Sequence, residues 1–208
     1  MLASPLAWFL LIAAQQVPAV PGGCSEPADQ HVGEPGCFLT TEVRLGPASS
    51  TLYWHIIRAD SEATARALAK RARWQVVVKA HGRWWLYVLS PARTVPGVFS
   101  HHVAGPFVLP AGPSFTARFM ESWFPPGMRT RVHSHSGPEA FYVVEGEQCT
   151  ETPKERRLIR PGESYTVAGG AHLQAAPKGR RSLVLILAPD GEPWMRLAND
   201  WTGSDFCR

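Results

Sequence analysis

Apolar residues along this chain come mostly in short runs broken by Pro, Gly and Ser, and one stretch carries a helical period. That stretch is 61–73, where Ala65, Leu68, Ala69 and Ala72 fall on one side and Asp60 stands ready to cap the first turn. The apolar face is small, so the helix must lie close against something flat. The runs at 51–57, 74–78 and 84–89, rich in β-branched and aromatic residues, supply such a surface, the last two joined by a tight turn at His81-Gly82. Together they predict a small β-α-β-β module over 51–92. Residues 91–113 read as a connector with one or two short strands. Beyond it the pattern is strands only, with candidates at 114–124, 129–135, 139–145, 148–152, 157–160, 164–167, 172–176 and 182–188. Explicit turn residues separate them, among them Pro125-Pro126-Gly127, Ser136-Gly137-Pro138 and Pro161-Gly162, the last suited to a type II turn. Short, evenly spaced strands without an internal repeat predict one barrel or sandwich over 93–208. The fold class is therefore mainly β, with a small N-terminal α+β module.

The N-terminal part changes the picture of where the protein works. No charged residue precedes Glu26, and Leu6 to Ala14 is an apolar run of signal-peptide length, too short to span a bilayer. The segment before it offers only the terminal amine as a positive charge. Residues 1–19 are expected to be a signal peptide and the mature protein to be secreted or periplasmic. Residues 20–50 read as a Pro/Gly-rich tail with a short apolar patch at Cys37-Phe38-Leu39. Four cysteines suit an exported chain with up to two disulfides. Of the three connectivities, Cys24–Cys37 closes a short loop and Cys149–Cys207 ties the C-terminal tail to the barrel; this is the pairing we expect.

Apolar residues at 45% and charged residues at 18% describe a globular chain, and a net charge of +4 is modest. Basic clusters at Arg66/Lys70/Arg71/Arg73, Lys154/Arg156/Arg157/Arg160 and Lys178/Arg180/Arg181 read as solvated turns and a solvated helix face. No stacking motif or recognition helix accompanies them, so nucleic acid is not expected as a partner.

The residues that carry chemistry lie between Gly127 and Gly146. Residues two apart on a strand face the same side, so His133 and His135 aim their imidazoles together. Ser136-Gly137-Pro138 then reverses the chain, and Glu139 opens the next strand close to both rings. His172, after two glycines, starts a later strand as a fourth candidate. Three imidazoles and one carboxylate form a mixed N/O set suited to one divalent Fe, Mn, Co, Ni, Cu or Zn ion, and six-coordinate geometry would leave two positions open. Phe141 and Val143 share the face of Glu139 and are expected to line the cavity. Arg131 shares the face of His133 and could clamp a carboxylate at the mouth, or simply end its strand in solvent. Tyr142, of opposite parity, is expected outside the barrel, and Trp123 in the core or at the rim. His31, His55, His81, His101 and His102 are expected to be ordinary satisfied or exposed histidines. No hydrolase pair and no phosphate-cradling loop occurs.

Gly127-x5-His133-x-His135-x3-Glu139-x6-Gly146 resembles the first motif of the cupin superfamily without a gap. The second motif resembles Gly162-Glu-Ser-Tyr-Thr-Val167-Ala-Gly169-Gly-Ala-His172 in degraded form. One residue is missing, Val167 stands where proline is usual, and Ala176 replaces an asparagine. The string His135-Ser-Gly-Pro-Glu-Ala-Phe-Tyr, followed by Gly146-Glu-Gln-Cys-Thr-Glu-Thr-Pro, is similar to a group of exported bacterial single-domain cupins of unassigned activity. The resemblance covers about residues 105–208. It implies a jelly-roll-like barrel, a metal on His133, His135, Glu139 and His172, and pairing of two copies through edge strands. Two function classes follow from it. One is a metal-dependent enzyme, dioxygenase- or decarboxylase-like, acting on a small organic acid or enolisable compound. The other is a module that binds a metal or small ligand without turnover. A fold shared by many activities does not choose between them.

Overall fold

The computed structural model describes residues 21–47, 51–69, 73–97 and 99–207. The expected signal peptide lies outside them. The elements run β1 (Gly36–Pro47), β2 (Thr51–Ala59), α1 (Glu62–Leu68), β3 (Trp74–Ala80), β4 (Arg83–Ser90), β5 (His102–Val108), β6 (Ser114–Phe124), β7 (Met128–Arg129), β8 (His133–His135), β9 (Glu139–Gly146), β10 (Gln148–Glu151), β11 (Arg156–Ile159), β12 (Ser164–Val167), β13 (Leu173–Ala176), β14 (Arg180–Pro189) and β15 (Met195–Leu197). A five-stranded antiparallel sheet, β1-β6-β14-β9-β12, and a smaller one, β11-β10-β13-β7, send side chains toward a common interior, and the β15-β8 pair lies beside it. The result is a mainly β, jelly-roll-like barrel. A second four-stranded sheet, β3-β4-β2-β5, packs on the outer face of the five-stranded one.

That extra layer explains the unbroken apolar run in β14. Leu183, Leu185 and Leu187 point outward and are buried against Trp54, Tyr87 and Phe119, whereas Val184 and Ile186 point inward beside Met120 and Phe141. A strand covered on both faces has no polar parity. Trp54 meets Tyr87 edge-on at 5.2 Å and Tyr87 stacks on Phe119 at 5.0 Å, pairs that each contribute about 0.5–1.5 kcal/mol beyond area burial. Tyr142 also faces this outer layer, against Trp85 and His102, as its parity predicts.

Three expectations need correction. Residues 36–47 are not tail: β1 pairs with β6 from Gly36↔Trp123 to Pro47↔Ser114 and buries Cys37, Phe38 and Leu45. Its burial does not alternate cleanly, because the pairing register shifts between Leu39 and Thr41 and again between Arg44 and Gly46, so no strand period shows in sequence. β5 pairs with β2 and so joins the outer sheet, although it lies in the 93–208 segment. The chain thus starts the barrel at β1, leaves it for β2 to β5, and returns at β6. Finally, the helix is capped by Ser61, whose Oγ accepts from the Thr64 N–H at 3.1 Å, and not by Asp60. Ala65 is buried and Ala69 packs against Ile57, Leu86 and Val88, but Leu68 is exposed; Ala72 lies outside the described residues.

Both expected disulfides are present, Cys24–Cys37 and Cys149–Cys207. Beside the second, buried Glu151 accepts from the Ser204 N–H at 2.8 Å, the Ser204 hydroxyl at 2.7 Å and the Cys207 N–H at 3.0 Å. The C-terminal segment is thereby held on the barrel. No described helix is long and apolar enough to cross a membrane.

Candidate metal centre

The barrel's architecture brings His133, His135, Glu139 and His172 together. β8 supplies the two histidines on one face, β9 begins with Glu139, and His172 is joined to His133 by an antiparallel bridge with reciprocal N–H···O bonds of 3.0 and 2.9 Å. One ligand atom from each lies within 4.8 Å of the others, a group that could hold a metal ion. The His172 Nε2 is 2.8 Å and the His135 Nε2 3.3 Å from Glu139 Oε2.

Backbone carbonyls decide which nitrogen faces the centre. His133 Nδ1 lies 2.8 Å from the Arg131 oxygen, His135 Nδ1 2.8 Å from the Trp194 oxygen and His172 Nδ1 3.1 Å from the Gly170 oxygen. A carbonyl only accepts, so each Nδ1 must carry the proton and donate it. Each Nε2 is then the nitrogen turned toward the centre, the arrangement that orients imidazole ligands in metal sites; an ion there would take its lone pair, whereas an Nε2 that carries a proton donates it to Glu139. The Nε2 atoms of His135 and His172 are buried and have no hydrogen-bond donor facing them. Burial, reinforced by the fields of His172 and His135, lowers the His133 pKa to about 4 despite Glu139, so that ring is neutral at pH 7. Burial pulls His135 the same way, but the charge of Glu139 and its hydrogen bond prevail and hold this pKa above the ordinary value. Burial alone would raise the Glu139 pKa; His135 and His172 overrule it and keep the carboxylate well below its usual range. An ionised carboxylate beside three imidazoles tethered at Nδ1 is a donor set that fits a divalent transition metal.

The centre opens into a cavity of about 190 Å³. Val184, Ile186, Trp194, Met195 and Leu197 form its apolar wall; Ser122, Thr130, Gln174 and Arg131 add polar groups. Exposed Arg131 thus sits at the cavity, while its carbonyl holds His133. Phe141 and Val143 share the parity of Glu139 but are fully buried and do not reach the cavity surface, where β14 supplies Val184 and Ile186 instead. Trp123 lies on the outer face under the Arg181 guanidinium. The remaining described histidines have local partners: His31 with Glu26 and Glu34, His55 with Ser100 and the Ala92 oxygen, His81 with the Ser182 oxygen, His101 with the Arg58 N–H, and His102 with Ser164.

Sequence reasoning missed three parts of the site. β15 places Trp194 against His135, rings stacked 5.8 Å apart. The Cys24–Cys37 disulfide forms part of the cavity lining. Arg180, grouped by sequence with the solvated basic residues, is almost fully buried inside the barrel. Its parity with Ser182, Val184 and Ile186, all inward, was the available signal.

No protein-family model matches this chain, and a search of curated proteins finds no match. Solved structures are similar to parts of it. A cupin-2 domain containing protein from Shewanella frigidimarina is 20% identical over 33% of this chain and 68% of that protein, with a TM-score of 0.31. A cupin domain from Bordetella pertussis is 26% identical over 34% of this chain and 80% of that protein, TM-score 0.30. The DMSP lyase DddQ from Ruegeria pomeroyi is 25% identical over 45% of this chain, TM-score 0.35, and the match spans 46% of the lyase, less than half its length.

Proposed function

We propose that this protein binds one divalent transition metal through His133, His135, Glu139 and His172, and acts as a metal-dependent enzyme of the dioxygenase or decarboxylase type on a small organic acid or enolisable compound. The observation that carries the reading is the set of three imidazoles, each tethered at Nδ1 by a backbone carbonyl so that Nε2 is the nitrogen presented to the centre, beside an ionised Glu139. The metal would supply Lewis-acid or redox chemistry at positions its protein ligands leave open. Arg131 at the cavity mouth offers a planar pair of donors for a carboxylate. Val184, Ile186, Met195 and Leu197 shed water from the ligand's apolar part and favour a compact molecule. The two disulfides support an oxidising compartment, and with the apolar run at Leu6 to Ala14 they support export.

Metal-loaded protein is expected to consume dioxygen or release carbon dioxide with at least one member of a panel of phenols, β-diketones and small carboxylic acids. Ligand binding without turnover across that panel would favour the non-catalytic binding module.

A further inference from the structure

Resting on the metal-centre reading, we propose that Arg180 makes the cavity a site for an organic anion: once Glu139 ligates a metal, this buried guanidinium lacks a counter-charge, and the bound ligand supplies it.

Arg180 opens β14 with 2% of its surface exposed, its guanidinium 4.0 Å over the Phe124 ring. Its Nη1 donates to Ser122 Oγ at 2.9 Å and to Ser182 Oγ, and its Nη2 donates to Gln174 Oε1 at 3.0 Å. All these partners are neutral, and Nε has no protein partner. Arg181, next in the chain, points to the other face and pairs with Glu145 at 3.6 Å. The carboxylate whose field reaches Arg180 is Glu139.

Gln174 connects the two. A guanidinium has donors and no acceptor, so Arg180 fixes the amide with Oε1 toward itself. The Gln174 Nε2 must then face Glu139, 3.4 and 3.5 Å from its two oxygens. Without a metal, Glu139 balances Arg180 across this amide. A divalent ion on Glu139 takes that negative charge for itself. One charge of the ion and the whole charge of Arg180 are then left in a cavity whose histidines, their Nε2 lone pairs given to the ion, contribute none. Unpaired buried charge is costly, and an anionic occupant relieves it. The field need not travel far: Ser122, Phe124 and Gln174, three of the side chains touching Arg180, line the cavity themselves.

The test uses the full chain loaded with cobalt(II), whose absorption spectrum reports ligands entering the centre. Acetate and oxalate serve as anionic probes and imidazole as a neutral one. Arg180→Gln removes the charge; Ser182→Asp, against the guanidinium and outside the cavity lining, cancels it in place and answers the question if the first variant does not fold. Each variant is first shown to hold as much cobalt as wild type. Both anions are expected to bind about tenfold or more weakly in these variants, with imidazole affinity changed by less than about twofold. Unchanged anion binding, or equal weakening for imidazole, would overturn the proposal while leaving the metal centre standing. Failure of the wild-type protein to retain cobalt would instead remove the metal-centre reading, and this inference with it.

Discussion

Protein carrying Glu139→Ala or His133→Ala is expected to purify without bound metal. Each change removes one of four inward-facing ligand atoms, and Glu139 supplies the one negative charge among them. Losing only an outer partner of a ligand typically costs about 10–100-fold in metal affinity, so losing a ligand should cost more. Folding gives a second readout. Metal at about a hundred times its dissociation constant stabilises the native state by about 2.7 kcal/mol. For a chain of this size that is a rise in Tm of roughly 5–10 °C. Wild type should show that rise on adding metal and the variants should not. Equal metal content or an equal thermal shift in the variants would contradict the assignment of these ligands. Because Glu139 is also the charge facing Arg180, near-UV circular dichroism must first show that the variants keep their tertiary packing.

Gly146→Ala is expected to be among the most damaging single methyl additions in the chain. Gly146 sits at φ +74°, where an L side chain costs about 1–2 kcal/mol, and a Cβ there would lie 2.1 Å from the Gly179 carbonyl oxygen and 2.9 Å from the Arg180 Cα. Neither neighbour is a flexible side-chain end, so β9 and β14 would have to separate where they pair at Arg180↔Gly146. A loss of more than about 3 kcal/mol follows, seen as a fall in Tm of roughly 6–12 °C. Gly127, the other glycine framing the first motif, is the control. It has φ +81° but nothing within 4 Å of its Cβ position, so Gly127→Ala should show the backbone cost alone. Similar Tm values for the two variants would contradict this account.

The two motif glycines illustrate how much could be read in advance. The spacing from Gly127 to Gly146 identified the paired histidines, the reversal and Glu139, because strand parity is a local rule. It also put Tyr142 outside the barrel. Parity does not say how deep a side chain lies, which is why Phe141 and Val143 face inward yet stop short of the cavity surface. Long-range pairing was beyond local pattern. β1 is separated from its partner β6 by the whole outer sheet, and nothing near Cys37 to Leu45 announces that partner. β15 is three residues long, yet its pairing with β8 sets Trp194 on His135. Arg180 was misread because a charge next to Arg181 and two residues from Lys178 looks solvated. Only the barrel's closure shows that its parity turns it toward Gln174 and Glu139.

The metal content of the purified wild-type protein tests the central claim most directly. Elemental analysis should find close to one transition-metal ion per chain. Finding no bound metal, even after reconstitution with Fe, Mn, Ni and Zn, would contradict it.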